Sequence, residues 1–188
     1  MQEVDIYYVN GKYPVFTTFL NHSSEEIRSI KERIIEYRKE YPVSRISSVK
    51  AWHSHFSTHR HTNYFNDINR RIASECSIIL NYYNNINDRL ILYDMWVNIY
   101  EKGDRTVLHN HFPRCDYSCC YYVDIEENSS PIKFPPRLEI FPKNDMLVIF
   151  AANVYHEVPP TNGKRTLIAM NLDYPNRPLN LSTIIKYS

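Results

Sequence analysis

The segment His109-Asn110-His111 puts two imidazoles two residues apart in a stretch rich in β-forming residues. In a strand, residues i and i+2 point to the same face, so both rings would project into one space. His156, in FAANVYHEVPP, comes much later, at the end of the strongest strand signal in the chain. Two ligands from one strand and a third from a distant one would form a facial set, with several coordination positions left open for substrate and oxygen. Structural zinc is normally closed by four nitrogen or sulfur ligands, and the chain has no C-x-x-C. Taken singly, an H-x-H pair marks an ordinary exposed strand as readily as a metal site, and His156 reads as a satisfied core histidine.

Arg165, in NGKRTLIAMN, makes the combination more telling. It opens a strand expected to run opposite to the one carrying His156. An arginine directed into a barrel is costly to bury unless it holds an anion, and its planar fork suits a carboxylate bidentately. A metal with open positions and a buried arginine are together what a chelating 2-oxo acid requires.

The elements that must position these residues divide the chain in two. In the first half, Ser23 and Glu26 form a capping-box pattern ahead of Ile27, Ile30, Ile34 and Tyr37, a helix ended by Pro42. A second helix is expected from about Tyr64 to Ile86, with Phe65, Ile68, Ile72, Cys76, Ile79, Tyr83 and Ile86 along one face. The intervening SVKAWHSHFSTHRH reads as extended or looped. The second half turns to short apolar segments, with strands expected near 92–100, 106–111, 117–125, 132–141, 146–151, 154–158 and 164–172. The expected fold is mainly β with N-terminal helices, a double-sheet β core within a single domain: residues 1–90 as mainly helical support, 91–188 carrying the metal site.

Composition removes several function classes. The chain has 188 residues and only three glycines, so neither G-x-G-x-x-G nor G-x-x-x-x-G-K-[ST] can be written. A net charge of +1 gives no field to draw nucleic acid or anionic lipid. The longest apolar run, Met146 to Val154, is far short of the ~20 residues a membrane span needs. Cys76, Cys115, Cys119 and Cys120 have no disulfide-framework spacing and are expected as free thiols in a cytoplasmic protein. The basic residues from Arg28 to Lys39 alternate with Glu32 and Glu36 and read as a solvated, ion-paired helix face.

With these residues in view, the chain resembles the Fe(II)/2-oxoglutarate-dependent oxygenases, and within them a group of compact bacterial and phage members. The resemblance runs from about Ser48 to Asn171, through SVKAWHS, MWVNIYEKGDRTVLHNHFP, YSCCYYV, PIKF, FPKNDMLVIFAANVYHEVPP and GKRTLIAMN. It implies a double-stranded β-helix (jelly roll, cupin-like) and oxidative decarboxylation of 2-oxoglutarate to succinate, coupled to hydroxylation of an aliphatic C–H with O2. It implies that His109, His111 and His156 ligate Fe(II), that Arg165 pairs with the distal carboxylate of 2-oxoglutarate, and that Tyr122 hydrogen-bonds that carboxylate. Asn98 becomes a pocket candidate. Trp52, His55 and His59 border the expected mouth and are candidates for contact with a small-molecule or peptide substrate. Trp52 and Asn171 also fit purely structural roles.

The chain departs from the family pattern at three places. His111 stands where most members have Asp or Glu, which exchanges an anionic ligand for a neutral one. Leu167 stands where Ser or Thr is usual and removes a hydrogen bond to the co-substrate. Cys119 and Cys120 replace small residues before the two tyrosines. Two other readings use the same histidines: a cupin-type three-histidine thiol dioxygenase, needing no 2-oxo acid, and a non-catalytic metal-binding cupin. The second histidine group, His53, His55, His59 and His61, could itself bind metal but reads better as a solvated or pocket-lining loop.

Overall fold

The computed structural model describes residues 3–44, 48–85 and 87–175. Strand-forming sequence appears at once, as β1 (Asp5–Val9) and β2 (Tyr13–Phe19), before helix α1 (Ser24–Glu40). Short elements follow, β3 (Val49–Lys50), β4 (Trp52–His53) and α2 (Thr58–His61), then the long helix α3 (Asn66–Asn84). The remaining strands are β5 (Ile91–Tyr100), β6 (Arg105–His109), β7 (Tyr117–Ile125), β8 (Ile132–Phe134), β9 (Leu138–Ile140), β10 (Met146–Ala151), β11 (His156–Val158) and β12 (Arg165–Asp173). They form a seven-stranded sheet, β1-β2-β10-β7-β12-β5-β4, and a five-stranded sheet, β3-β6-β11-β8-β9.

Strands β5, β7, β10 and β12 are apolar almost throughout because both their faces are covered. On one face Val97, Ile99, Val123, Leu147, Ile149, Ile168, Met170 and Leu172 pack with Ile30, Ile34 and Tyr37 of α1 and Ile68, Ile72 and Ile79 of α3. On the other, Trp96, Tyr100, Tyr122, Val148, Phe150 and Leu167 meet Val49, Ile132, Phe134 and Ile140 of the smaller sheet. The site lies between the two sheets.

Helix α1 begins at the expected capping box: Glu26 N donates to Ser23 Oγ (3.2 Å) while Ser23 N donates to Glu26 Oε2 (2.7 Å). Helix α3 ends at Asn85, which takes a left-handed φ of 51°; Ile86 lies outside the described residues. The expected turn at Lys143-Asn144-Asp145 also forms. Asp145 adopts φ 67° and its carboxylate accepts from His22 N (3.0 Å) and Tyr121 Oη (2.8 Å).

Three expectations about the elements need correction. The first half is not simply helical support, since β2 pairs with β10 and extends the larger sheet. Its seven residues are too short a run to stand out beside two long helical periods. The single strand expected over 132–141 is a hairpin, β8 paired with β9, because Pro135 and Pro136 fall at its middle and have no N–H to donate to a ladder. Strand β6 stops at His109, so His111 lies beyond the pleat that was expected to align it.

Candidate metal centre

His109 closes β6 and His156 opens β11, and the two are direct partners across the antiparallel ladder. Cross-strand pairing therefore brings their rings to a centroid separation of 4.3 Å. His111 reaches the same space from the following loop, where its backbone N–H donates to Ala152 O (2.8 Å). The ring nitrogens of the three histidines lie within 4.8 Å of one another and could hold a metal ion. Among the described residues they are the one such group of His, Cys, Asp and Glu donors.

Local hydrogen bonds set which nitrogen each ring offers. His109 Nδ1–H donates to Val107 O (2.9 Å) and His156 Nδ1–H to Val154 O (3.1 Å), which leaves each Nε2 lone pair free. Asn171 lines the same cavity as His111. All three imidazoles are held neutral. Burial lowers His109, and burial with repulsion from His109 and His111 takes His156 well below the usual histidine range. His111 is lowered to about 4, mainly by burial and by the neighbouring His109.

Parallel rings extend away from this group. The His111 ring is near-parallel to those of His156 (5.1 Å, 14°) and Trp96 (5.9 Å, 13°), and Trp96 in turn to that of His53 (5.8 Å, 9°). Phe150 closes on His156 at 4.6 Å. Asn98, on the same face of β5 as Trp96, has an amide orientation that accepts from Trp96 Nε1 (3.2 Å) and donates to Val97 O (3.2 Å).

Arg165, the first residue of β12, is fully buried in the same cavity. Its Nη1 donates to Ser130 O (2.9 Å) and its Nη2 to Tyr122 Oη (3.3 Å), while Nε–H has no partner. The rings of Tyr100 and Tyr122 lie 5.1 and 5.2 Å from the guanidinium carbon. Among the described residues no carboxylate is within ion-pair distance of it. A buried cation lacking its counter-ion is costly, and the arrangement suits an anion arriving from outside.

The cavity, about 240 Å³, is lined by His109, His111, His156, Arg165 and Asn98 among the residues expected from sequence. Tyr122 reaches it through its bond to Arg165. Trp52, His55 and His59 do not line it. Trp52 is packed between the sheet and α1, its Nε1 donating to Tyr41 O (3.3 Å); His55 meets His61 edge-to-face (4.5 Å, 73°), and His59 faces a separate groove along α3. The member of that histidine group in the cavity is His53, buried and paired in register with Asn98. Sequence reading also passed over Trp96, Tyr100 and Thr106. Alternation from Asn98 along β5 would have found the first two.

No family model matches the chain, and no curated protein matches it in sequence. Solved structures do match. The viral collagen prolyl hydroxylase vCPH from Paramecium Bursaria Chlorella virus-1, in its 2OG complex, is similar over 87% of this chain and 97% of that one, with TM-score 0.63 and 17% identity. A Pseudomonas putida prolyl-4-hydroxylase is similar over 88% and 95%, with TM-score 0.67 and 11% identity. A prolyl hydroxylase from Trichoplax adhaerens, in complex with a hypoxia inducible factor peptide fragment, is similar over 85% and 83%, with TM-score 0.65 and 13% identity. The chain has the double-stranded β-helix fold of these hydroxylases. The jelly roll expected from sequence is thus the fold observed.

Proposed function

We propose that the chain is a single-domain Fe(II)- and 2-oxoglutarate-dependent oxygenase that hydroxylates an aliphatic C–H in an amino acid, peptide or small metabolite. The observation that carries this is the pairing, in one cavity, of three neutral imidazoles with a buried arginine that has no carboxylate partner among the described residues. The donors fit the ion: neutral imidazole suits iron among the first-row metals, and a three-nitrogen set leaves positions open. The anion site fits the co-substrate, because a 2-oxo dicarboxylate has a chelating end and a distal carboxylate.

In this reading His109, His111 and His156 hold Fe(II), and Arg165 with Tyr122 receives the distal carboxylate in a charge-assisted fork. The oxidising chemistry is the cofactors' own: with O2, 2-oxoglutarate is decarboxylated to succinate and one oxygen atom enters the substrate C–H. The protein binds, orients and keeps water out. Phe150 and Leu167 give the cavity apolar lining. Leu167 gives the co-substrate no hydroxyl, so Tyr122 bears more of its recognition. The prolyl hydroxylase neighbours favour a peptide or amino-acid substrate over nucleic acid or lipid, and among the described residues no helix is long and apolar enough to cross a membrane. Four free thiols suit a cytoplasmic location.

The all-imidazole ligand set also favours a second reading, a three-histidine thiol dioxygenase in which Arg165 binds the substrate's carboxylate. Anaerobic titration of the Fe(II)-loaded protein with 2-oxoglutarate separates the two. The oxygenase is expected to develop a visible charge-transfer band that is absent in Arg165→Ala. Iron binding without any such band would move the thiol dioxygenase to the front.

A further inference from the structure

A second arginine stands at the same cavity. The backbone N–H of Arg114 donates to His111 O (2.8 Å), so the turn that delivers this histidine also delivers Arg114 to the cavity wall. Its exposed guanidinium has Nη2 3.7 Å from Asp94 Oδ2, too long for a hydrogen bond. The ion pair therefore orients the fork and leaves its N–H donors uncommitted among the described residues.

Arg114 and Arg165 hold opposite ends of the site. Arg165 is register partner to Tyr100, and Asp94 lies at the other end of the cavity face of β5. The six residues from Asp94 to Tyr100 span roughly 20 Å at about 3.3 Å per residue. A co-substrate carboxylate seated on Arg165 thus leaves Arg114 to a different anion.

Beside Arg114 is an aromatic wall with one open acceptor. The guanidinium carbon lies 5.7 Å from the centre of the Phe56 ring, and His53 meets the same ring edge-on at 4.6 Å. Burial holds His53 below the usual histidine range, so its ring is neutral. Its Nδ1–H donates to Ser54 O (2.5 Å), which puts the lone pair on Nε2, a nitrogen with no partner among the described residues. His53, Phe56, Phe112 and Arg114 all line the cavity, and none of its described lining residues is acidic. The field there favours an anion. A space of about 240 Å³ that also seats a co-substrate suits a guest of single-residue size.

An amino-acid carboxylate fits this wall group by group. Its carboxylate takes the Arg114 fork, its ammonium or amide N–H donates to His53 Nε2, and its side chain lies against Phe56 and Trp96. The Trp96 ring is itself 5.9 Å from that of His111. We propose that Arg114 and His53 bind the substrate, and that this substrate is an α-amino-acid carboxylate, either a free amino acid or the C-terminal residue of a peptide. This rests on the oxygenase reading above and narrows it. The competing role is a surface ion pair over a packed aromatic cluster.

The test is turnover of the Fe(II)-loaded full chain with 2-oxoglutarate and O2, read as succinate release above the substrate-free rate. The probes are the common L-amino acids, each as the free acid, as its carboxamide, and as the last residue of a Gly-Gly tripeptide acid. At least one acid is expected to stimulate release, and its carboxamide to be weaker by about 10-fold or more. Whether the free acid or the tripeptide acid is active names the source. Arg114→Gln is expected to raise KM for that acid by roughly 10–150-fold, with the dissociation constant of 2-oxoglutarate unmoved. His53→Phe keeps a ring against Phe56 but removes the acceptor, for a rise of roughly 2–10-fold. Carboxamides as active as the acids, or an unchanged KM in Arg114→Gln, would overturn the proposal whether or not His53→Phe folds. So would a natural chain that binds 2-oxoglutarate while no acid of the panel is active. Failure to bind 2-oxoglutarate at all would bring down the oxygenase reading and this proposal together.

Discussion

Along β5 and β12, Val97, Ile99, Ile168, Met170 and Leu172 face the helices while Trp96, Asn98, Tyr100, Arg165 and Asn171 face the cavity between the sheets. The same strands thus carry two kinds of surface, one residue out of phase. The helix-covered face is aliphatic and closely packed, and each side chain there contributes apolar area removed from water. The cavity face of these strands is just as buried yet holds a guanidinium with no counter-ion among the described residues, in a cavity shared with three imidazoles kept neutral. Such groups do not help the chain fold. Their presence in a buried layer marks the face on which stability is given up for binding.

The sharpest way to break this contrast is to remove one of the three clustered histidines. His156→Ala is expected to abolish tight divalent-metal binding, with a loss beyond the roughly 100-fold that an outer-shell change produces. Calorimetric titration with Co(II) checks it, and retained affinity would mean that His156 is only a packed ring.

Opposite substitutions on the two faces of β12 come next. Ile168→Ala on the helix side is expected to destabilise by about 2–5 kcal/mol in urea denaturation. Arg165→Met, on the cavity side, is expected to leave stability unchanged or raise it by about 1–4 kcal/mol while eliminating 2-oxoglutarate binding. A large destabilisation in Arg165→Met would make the arginine a structural element instead.

A finer cut is Tyr122→Phe. It removes the hydroxyl that accepts from Arg165 Nη2 and is expected to weaken 2-oxoglutarate binding by about 1.5–3 kcal/mol, roughly 10–150-fold. Equal affinity in the two proteins would show that Ser130 O and the backbone suffice to hold the fork.

Acid should act on the cavity face most of all, and most gently near neutrality. The imidazoles of His109, His111 and His156 have folded values below the ordinary one of 6.5, so the unfolded chain takes up protons first as pH falls. Stability is full above about pH 6.5, declines below it, and for His111 levels off once pH is under about 4. Metal-free protein is therefore expected to lose melting temperature between pH 7 and 5. His111→Asn should flatten part of that slope, and an unchanged slope would mean that His111 is already charged in the folded protein.

Short apolar, β-rich segments and the turn residues between them made much of this legible in advance. Strands β5, β7, β10 and β12 emerge within about two residues of their expected limits, and Ser23 and Glu26 cap α1 as their spacing requires. His109, His156 and Arg165 could be singled out because imidazole pairs and a lone arginine in apolar sequence are chemically conspicuous. Less visible was β2, whose partner β10 lies more than a hundred residues further on. Within WHSHFSTHRH, choosing His53 over His55 and His59 needed the register of β4 against β5, which no local pattern encodes.

The amino-acid sequence by itself determined which residues could do chemistry here and which segments would be pleated, because side-chain type and periodicity are local properties. Only the tertiary structure decided that His111 meets His109 and His156 from a loop, that Arg165 finds no carboxylate among the described residues, and that His53 enters the cavity while His55 and His59 stay outside it. Those outcomes depend on pairings between distant strands, and a hydrogen bond or its absence exists only once both partners are in place.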